Sequence, residues 1–362
     1  MDHARRLQSL QTRLLRLKVD ILLITHPSNI RYLCGFTGSA GALLASATDS
    51  VFFSDGRYAQ QANQEVEGAR LVIASKAPLV SVGEWLSRGR ERSKACTLGI
   101  EAEHLTVAAR KRLAGLLPKT VRVREVRPIV EDARMAKDSN EVEAIREAVT
   151  VGAALFDRAL DSIRPGVSEL DVAAEMEYAA RKAGAEGMSF ETIIAAGARS
   201  ALPHGRASEA LIPTRGFVVC DFGVILHGYC SDRTRTVWVG SASSEARRVY
   251  AAVLESQLAA IDAVRPGVAV SKVDHAARKA LQKHGLERYF THSTGHGVGL
   301  EIHEAPRVAK GQQEILRPGM VITVEPGVYL AGKWGVRIED MVVVTEHGCE
   351  VLAPHQKEFI AI

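Results

Sequence analysis

Cysteine is scarce in this 362-residue chain: five residues, at 34, 96, 220, 230 and 349, an odd number with no CxxC pair. A disulfide framework or a thiolate zinc site is thereby excluded, and a reducing compartment is suited. No apolar run approaches the roughly 18 residues of a membrane span. The opening MDHARRLQSLQTRLLRLK is amphipathic and lacks the apolar core of an export signal. A soluble, cytoplasmic protein with no membrane contact is expected. Excess charge of one sign is missing too, since 46 Lys and Arg face 42 Asp and Glu, for a net charge of +4 and a pI near 8.8. The basic residues are scattered among acids, which leaves no stripe for nucleic acid. The glycines of GSAGALL and GHGVG are not followed by the Gly-Lys-Ser/Thr of a nucleotide loop, so turn and close-packing roles are expected for them.

What is present is enough apolar residue, 46% hydrophobic against 24% charged, to bury two cores. The first third alternates strand signals (ILLIT, SVFFSD, LVIAS, LGIE) with helix signals near 4–18, 58–66, 80–89 and 106–117, the pattern of an α/β domain. After the strand VRVREV a charged stretch leads to a helix with Asp138 as N-cap and Glu141 three residues on. The boundary is expected near 130, giving domains 1–130 and 131–362. The second contains an internal echo: SIRPGVSELDVAAEMEYAARKAG (162–184) and AVRPGVAVSKVDHAARKALQKHG (263–285) align without gaps at an offset of 101. One such pair is too little for a solenoid and predicts a domain of two pseudo-symmetric halves.

Four acids stand out within it. VVCDFGVILHGYCSDRTRT reads as a hairpin turning at His227 and Gly228, which brings Asp221 and Asp232 nearly opposite each other. VITVEPGVYLAGKWGVRIED, turning near Gly332, sets Glu325 across from Glu339. Four converging carboxylates raise one another's pKa and destabilise a fold unless cations balance them, most simply two divalent metal ions. His296, in STGHGVGLEIHE, adds one imidazole. An oxygen-rich set with one nitrogen and no thiolate favours Mn(II), Co(II), Fe(II) or Zn(II) over Cu(I), and Mn(II) is the metal expected first.

These residues carry a family resemblance. ALPHGRAS, DFG with GYCSDRTRT, STGHGVGLEIHE, VEPGVY and GVRIED, in this order, resemble the proline-specific metallopeptidases of the pita-bread (M24) family, Xaa-Pro aminopeptidase and prolidase. NIRYLCGFTGSAG and SDGRYAQQA resemble the creatinase-type N-terminal domain of those enzymes. The resemblance implies an α+β fold: an α/β creatinase-type domain followed by a pita-bread catalytic domain, a curved antiparallel sheet with helices behind it. It implies that Asp232 and Glu339 bridge two metals, that Asp221 completes one, and that His296 with Glu325 completes the other. His204 and His303 would orient substrate and stabilise the oxyanion, and Glu325 would carry a proton to the leaving proline nitrogen. Arg337 would hold the carboxylates or reach a substrate carboxylate, and His292 and Tyr329 match further pocket positions. The implied assembly is a homodimer.

Other residues near the motifs have plainer readings. Cys230 shares a strand face with Asp232 and is taken as packing; Glu301 and Glu304 flank His303, either tuning it or lying on a solvated rim. His227, His275, His284, His347 and His355 are expected at the surface or in turns. The expected substrates are peptides with proline in second position, and the reading leans slightly to an Xaa-Pro aminopeptidase over an Xaa-Pro dipeptidase. Methionine aminopeptidases lack this N-terminal domain, and creatinase lacks the metal cluster. A noncatalytic peptide-binding protein on the same fold is the remoter alternative.

Overall fold

The computed structural model describes residues 1–88, 95–354 and 356–362, and the chain forms two compact units, Met1–Arg134 and Met135–Ile362. The first contains α1 (His3–Leu17), β1 (Ile21–Ile24), α2 (Pro27–Cys34), β2 (Gly41–Ser46), β3 (Ser50–Asp55), α3 (Ala59–Glu65), β4 (Arg70–Ala74), α4 (Pro78–Arg88), β5 (Cys96–Glu101), α5 (Val107–Leu116), β6 (Val121–Val126) and α6 (Ile129–Arg134). A boundary at 130 would cut α6. Helix α1 shows why the segment is helical: Asp2 caps it, and Leu7, Leu10 and Leu14 place a buried stripe on one side. The six-stranded mixed sheet runs β4-β3-β2-β1-β5-β6 and carries the core of Leu23, Leu44, Phe53, Leu98 and Ile100 beneath Val82, Leu86 and Leu113. Residue 89, at the end of the third expected helix, lies outside the described residues.

Three elements of this unit escape the periodicity reading: β2, α2 and the six-residue α6. Strand β2, GALLAS, has no β-branched residue and is held by partners on both sides, antiparallel to β1 and β3. Helix α2 is eight residues long, with Pro27 at its start and Gly35 in the left-handed region at its end. Its boundaries follow ordinary helix punctuation, but two turns are too short for a periodic signal.

The second unit begins with α7 (Ser139–Ser162), opened by a capping box between Asp138 and Glu141, and α8 (Glu169–Lys182). Then come β7 (Gly187–Met188), β8 (Ile193–Ala196), β9 (Gly216–Phe222), β10 (Val224–Leu226), β11 (Tyr229–Cys230) and β12 (Arg233–Val239). Next are α9 (Ser244–Asp262), α10 (Val270–Lys283), β13 (Gly295–Gly297), β14 (Glu304–Val308), β15 (Val321–Val324), β16 (Gly327–Leu330), β17 (Trp334–Arg337), β18 (Asp340–Val344) and β19 (Cys349–Val351). Helices α8 and α10 begin and end at the same positions of the echo, Glu169 with Val270 and Lys182 with Lys283. Each helix pair covers its own core: Phe156, Val172, Val218 and Val237 in one half, Val253, Ala277, Ile322 and Val342 in the other. The strand ladders of this unit are antiparallel.

Both predicted hairpins form. His227 (φ 51°) and Gly228 (φ 78°) make the two-residue turn between Leu226 and Tyr229, and the register runs back to Phe222 opposite Arg233. Asp221 lies opposite Thr234 and Asp232 opposite Gly223, so the two acids are diagonal neighbours on one face. Gly223 is required by proximity, since a Cβ there would stand 1.8 Å from the Ser231 carbonyl oxygen. The tip is tied to α7 through the Tyr229 hydroxyl, which donates to Glu141 Oε1 at 2.9 Å. Gly223→Ala should therefore destabilise the protein by about 1–3 kcal/mol or more, read as a lower melting temperature. Gly187→Ala, with no atom within 4 Å of its added Cβ, should stay close to the parent.

Candidate metal centre

The second hairpin is interrupted but keeps one register, with Val324 opposite Asp340 and Gly327 opposite Arg337. Glu325 and Glu339 face each other within the interruption. The two hairpins then meet edge to edge. Glu339 N donates to Thr234 O at 3.1 Å, Thr234 Oγ1 donates to Glu339 Oε2 at 2.6 Å, and Thr236 Oγ1 donates to Arg337 O at 2.8 Å. Behind them Arg235 gives Nη1 to Glu339 O at 2.6 Å and Nη2 to Asp340 Oδ1 at 2.8 Å, in an ion pair almost wholly out of solvent.

Ligand atoms of Asp221, Asp232 and Glu339 consequently lie within 4.8 Å of one another. His296 joins them from β13, with Nε2 at 3.5 Å from both Asp232 Oδ2 and Glu325 Oε1. Its Nδ1 stands 3.0 Å from Gly297 O, which assigns the proton to Nδ1 and leaves the Nε2 lone pair facing the acids. All five expected ligands are thus brought together. Asp221 Oδ1 and Glu339 Oε1 are buried with no hydrogen-bond partner. Such oxygens inside a carboxylate cluster fit divalent cations, which would take up their lone pairs and balance the charge.

Electrostatics give the same requirement. Burial, then repulsion from Glu339, drives the Asp232 carboxyl well above its ordinary range; burial and Glu325 do the same to Glu339. Burial pushes Glu325 to about 7. The fixed countercharge is Arg337, 3% exposed, whose Nη2 pairs with Asp221 while Nε donates to Thr234 Oγ1 at 3.0 Å and Nη1 to Tyr329 Oη at 2.7 Å and Pro203 O at 3.1 Å. Neighbouring acids and Tyr329 outweigh its burial and hold its proton more firmly than usual. Tyr329, raised to about 12 by burial, meets His292 Nε2 at 2.9 Å, and burial lowers His292 to about 4.

A cavity of about 670 Å³ opens over these groups, lined also by His204, His303, Ile302, Arg206 and Arg307. The His303 ring packs on that of His296 with centroids 4.4 Å apart, and burial lowers its pKa. Glu304 is no rim residue: its side chain is 6% exposed and pairs with the buried Lys137 at 3.1 Å, bracing the loop that carries His303. Cys230 is buried, its thiol pushed up to about 12 by that burial, consistent with packing. Of the peripheral histidines, His227 pairs with Glu147 at 3.2 Å and His284 with Glu255 at 2.8 Å; His355 lies outside the described residues.

The sequence reading had not singled out Arg307. It pairs in register with His296 across β13 and β14, and among the described residues no acid pairs with its guanidinium. Its only sequence signal is its place in HEAPRV, four residues after His303.

The sequence matches the model of metallopeptidase family M24 over residues 143–346 and that of the creatinase/prolidase N-terminal domain over 6–136. The chain belongs to metallopeptidase family M24. Its fold is accordingly a pita-bread domain preceded by a creatinase-type domain. It is 36% identical to an Xaa-Pro dipeptidase of Pyrococcus furiosus, over 94% of this chain and 95% of the relative. Among solved structures it is similar to an Xaa-Pro dipeptidase from Bacillus anthracis, with a TM-score of 0.93 and 38% identity, over 100% of this chain and 99% of the other. It is also similar to an X-Pro aminopeptidase from Thermotoga maritima, with a TM-score of 0.89 and 34% identity, over 98% and 99%.

A second group with metal-ligand chemistry, His26, His104 and Glu131, lies in the first unit of this M24 protein. Its imidazoles stack with centroids 3.7 Å apart and planes 16° from parallel, so their in-plane lone pairs run side by side instead of converging on one ion. Among the described residues, no helix is long and apolar enough to cross a membrane.

The ion-free cluster should have a distinctive pH response. A carboxyl raised from 4.5 to about 7, as in Glu325, contributes stability that is full below pH 4.5 and lost as pH rises through 7. Chelator-treated protein should therefore lose melting temperature across that window, and an added divalent ion, Mn(II) as the probe, should raise it more at pH 7 than at pH 5. An equal increment at both pH values would contradict the carboxylate-cluster account.

Proposed function

We propose that this M24 metallopeptidase is an Xaa-Pro dipeptidase whose two divalent ions, Mn(II) as first choice, are held by Asp221, Asp232, His296, Glu325 and Glu339. The slight lean of the sequence reading to an aminopeptidase is not kept. Near-full-length relatives named Xaa-Pro dipeptidase at 36% and 38% identity favour the alternative. The observation that carries the choice within this chain is Arg307, a guanidinium without an acidic partner among the described residues, on the wall of the cavity over the cluster. A dipeptide presents a free carboxylate one residue beyond the scissile bond, and a guanidinium can take it by a bidentate pair. Arg337 is a poor candidate for that task, because Asp221, Thr234, Tyr329 and Pro203 already engage four of its five N–H donors, which leaves no free pair for a bidentate contact.

In this reading Asp232 and Glu339 would be shared between the ions, Asp221 would complete the hold on one, and His296 with Glu325 on the other. Bound divalent ions would supply Lewis acidity toward the scissile carbonyl and lower the pKa of a water molecule. The chain's own residues do the rest. His204 and His303 line the cavity and offer N–H donors to the carbonyl oxygen as charge develops on it. Glu325, near 7 without ions, suits proton transfer to the leaving proline nitrogen. Arg337 holds Asp221 and, through Tyr329 and His292, stiffens the pocket wall. Proline's lack of an N–H calls for such a dedicated pocket. The proposed assembly is a homodimer, by family resemblance. The proposed location is the cytoplasm, supported by five free cysteines.

The test is hydrolysis of Ala-Pro and Ala-Pro-Ala by stripped protein before and after Mn(II) is restored. Ala-Pro should be the better substrate, and Arg307→Ala should raise its KM by roughly ten-fold or more, the ~1.5–3 kcal/mol of a charge-assisted hydrogen bond. Faster cleavage of the tripeptide would return the aminopeptidase reading. Roles within the cluster separate by metal content. Asp232→Ala and Glu339→Ala should lose both metal and activity, whereas His303→Ala should keep its metal and lose rate; an active, metal-poor Asp232→Ala protein would contradict the bridging role.

A further inference from the structure

On the buried face of the echo, Glu169 is a charged residue whose counterpart is apolar. Glu169 and Val270 occupy equivalent first positions of α8 and α10, and both are completely buried. Valine in one half means that the fold places no general demand for a carboxylate there. Helix capping does not account for Glu169 either, because Ser168 and Asp171 already form the capping box of α8.

Its carboxylate is turned instead to the segment between β8 and β9. Oε1 accepts from Ala196 N at 2.8 Å and Arg199 Nε at 3.1 Å; Oε2 accepts from Arg199 Nε at 2.9 Å, Ser208 N at 3.1 Å and Ser208 Oγ at 2.7 Å. Arg199 is also the countercharge, and its Nη2 donates to Arg206 O at 2.7 Å. The backbone reinforces the join, with Glu169 N donating to Ala210 O and Leu170 N to Ser208 O, both at 3.0 Å. One buried group thus closes both ends of the loop 197–207. The opposite side of the loop rests on the ligand-bearing hairpin, where Gly335 N donates to Ser200 Oγ at 2.8 Å and Arg337 Nη1 to Pro203 O at 3.1 Å.

His204 stands at the crown of this loop, exposed and lining the cavity, and its imidazole makes no hydrogen bond among the described residues. With no hydrogen bond to the ring among the described residues, the loop backbone sets its place. We propose that Glu169 is a positioning residue for hydrolysis: by clamping residues 196, 199 and 208 it fixes where His204 stands above the metal ligands. This rests on the reading of His204 as a donor to the reacting carbonyl. A displacement of about 1 Å is enough to cost on the order of a hundred-fold in rate. Glu169→Gln shortens the clamp's reach, since one oxygen becomes an N–H₂ that cannot accept from Ser208 or Arg199.

A double-mutant cycle tests it, with kcat and KM for Ala-Pro measured on Mn(II)-loaded wild type, Glu169→Gln, His204→Ala and the double variant, alongside metal content. Each single variant should keep its metal and lose kcat on the order of ten- to a hundred-fold, and Glu169→Gln should cost nothing further once His204 is gone. A full multiplicative loss in the double variant would overturn the positioning role and leave Glu169 a general stabiliser. An unimpaired His204→Ala enzyme would instead overturn the reading of His204 on which the proposal stands. If Glu169→Gln does not fold, Ser208→Ala takes its place in the same cycle. It removes the 2.7 Å bond to Glu169 and the 3.2 Å bond that Ala210 N donates to Ser208 Oγ, and leaves Ala196 N, Arg199 Nε and Ser208 N on the carboxylate, so a smaller loss of kcat that vanishes in the His204→Ala background is expected, and a loss that persists there refutes the proposal.

Discussion

Four carboxylates converging beneath one cavity are the constraint around which the second unit is organised. Left to themselves, Asp221, Asp232, Glu325 and Glu339 would repel, and burial raises that cost. The protein meets it with one buried cation, Arg337, on Asp221, and with fixed donors such as Thr234 on Glu339. Buried carboxylate oxygens without partners remain on Asp221 and Glu339. That residual imbalance suits the site to divalent ions, whose binding would offset the charge that folding has gathered.

The architecture serves to bring acids from remote parts of the chain to one point without letting them relax apart. Each hairpin supplies a pair through its register. The threonines of β12 join the hairpins, and the Arg235–Asp340 ion pair locks β12 to β18 behind the ligands. The helix pairs α7/α8 and α9/α10 fill the back of each half with apolar side chains. Pseudo-symmetry explains why two similar halves build one site. The symmetry is broken locally, as at Glu169 against Val270.

Much of this was legible in the sequence because the information is local. His227-Gly228 and the Gly332 turn announce hairpins, and hairpin register follows from turn position, so the pairing of Asp221 with Asp232 and of Glu325 with Glu339 can be read directly. The capping box at Asp138 and Glu141 is equally local. By contrast, β2 is defined by its neighbours on both sides, and Arg307 and Lys137 matter only through contacts with residues far along the chain. Glu304 illustrates the difference: an acid beside His303 reads as a solvated rim group until Lys137, 167 residues away, is found buried against it.

By itself the sequence determined the ligand types, their grouping into two hairpins, the repeated helix and the family to which the chain belongs. Those features depend on residue identity and short spacing, which any fold of this chain must respect. Tertiary structure alone decided how the two hairpins meet, which carboxylate oxygens stay without partners, which guanidinium is spent on the cluster and which faces the cavity. It also decided that a single buried carboxylate holds the His204 loop at both ends. Such properties are set by distance and desolvation between residues remote in sequence, and neither quantity exists until the chain has folded.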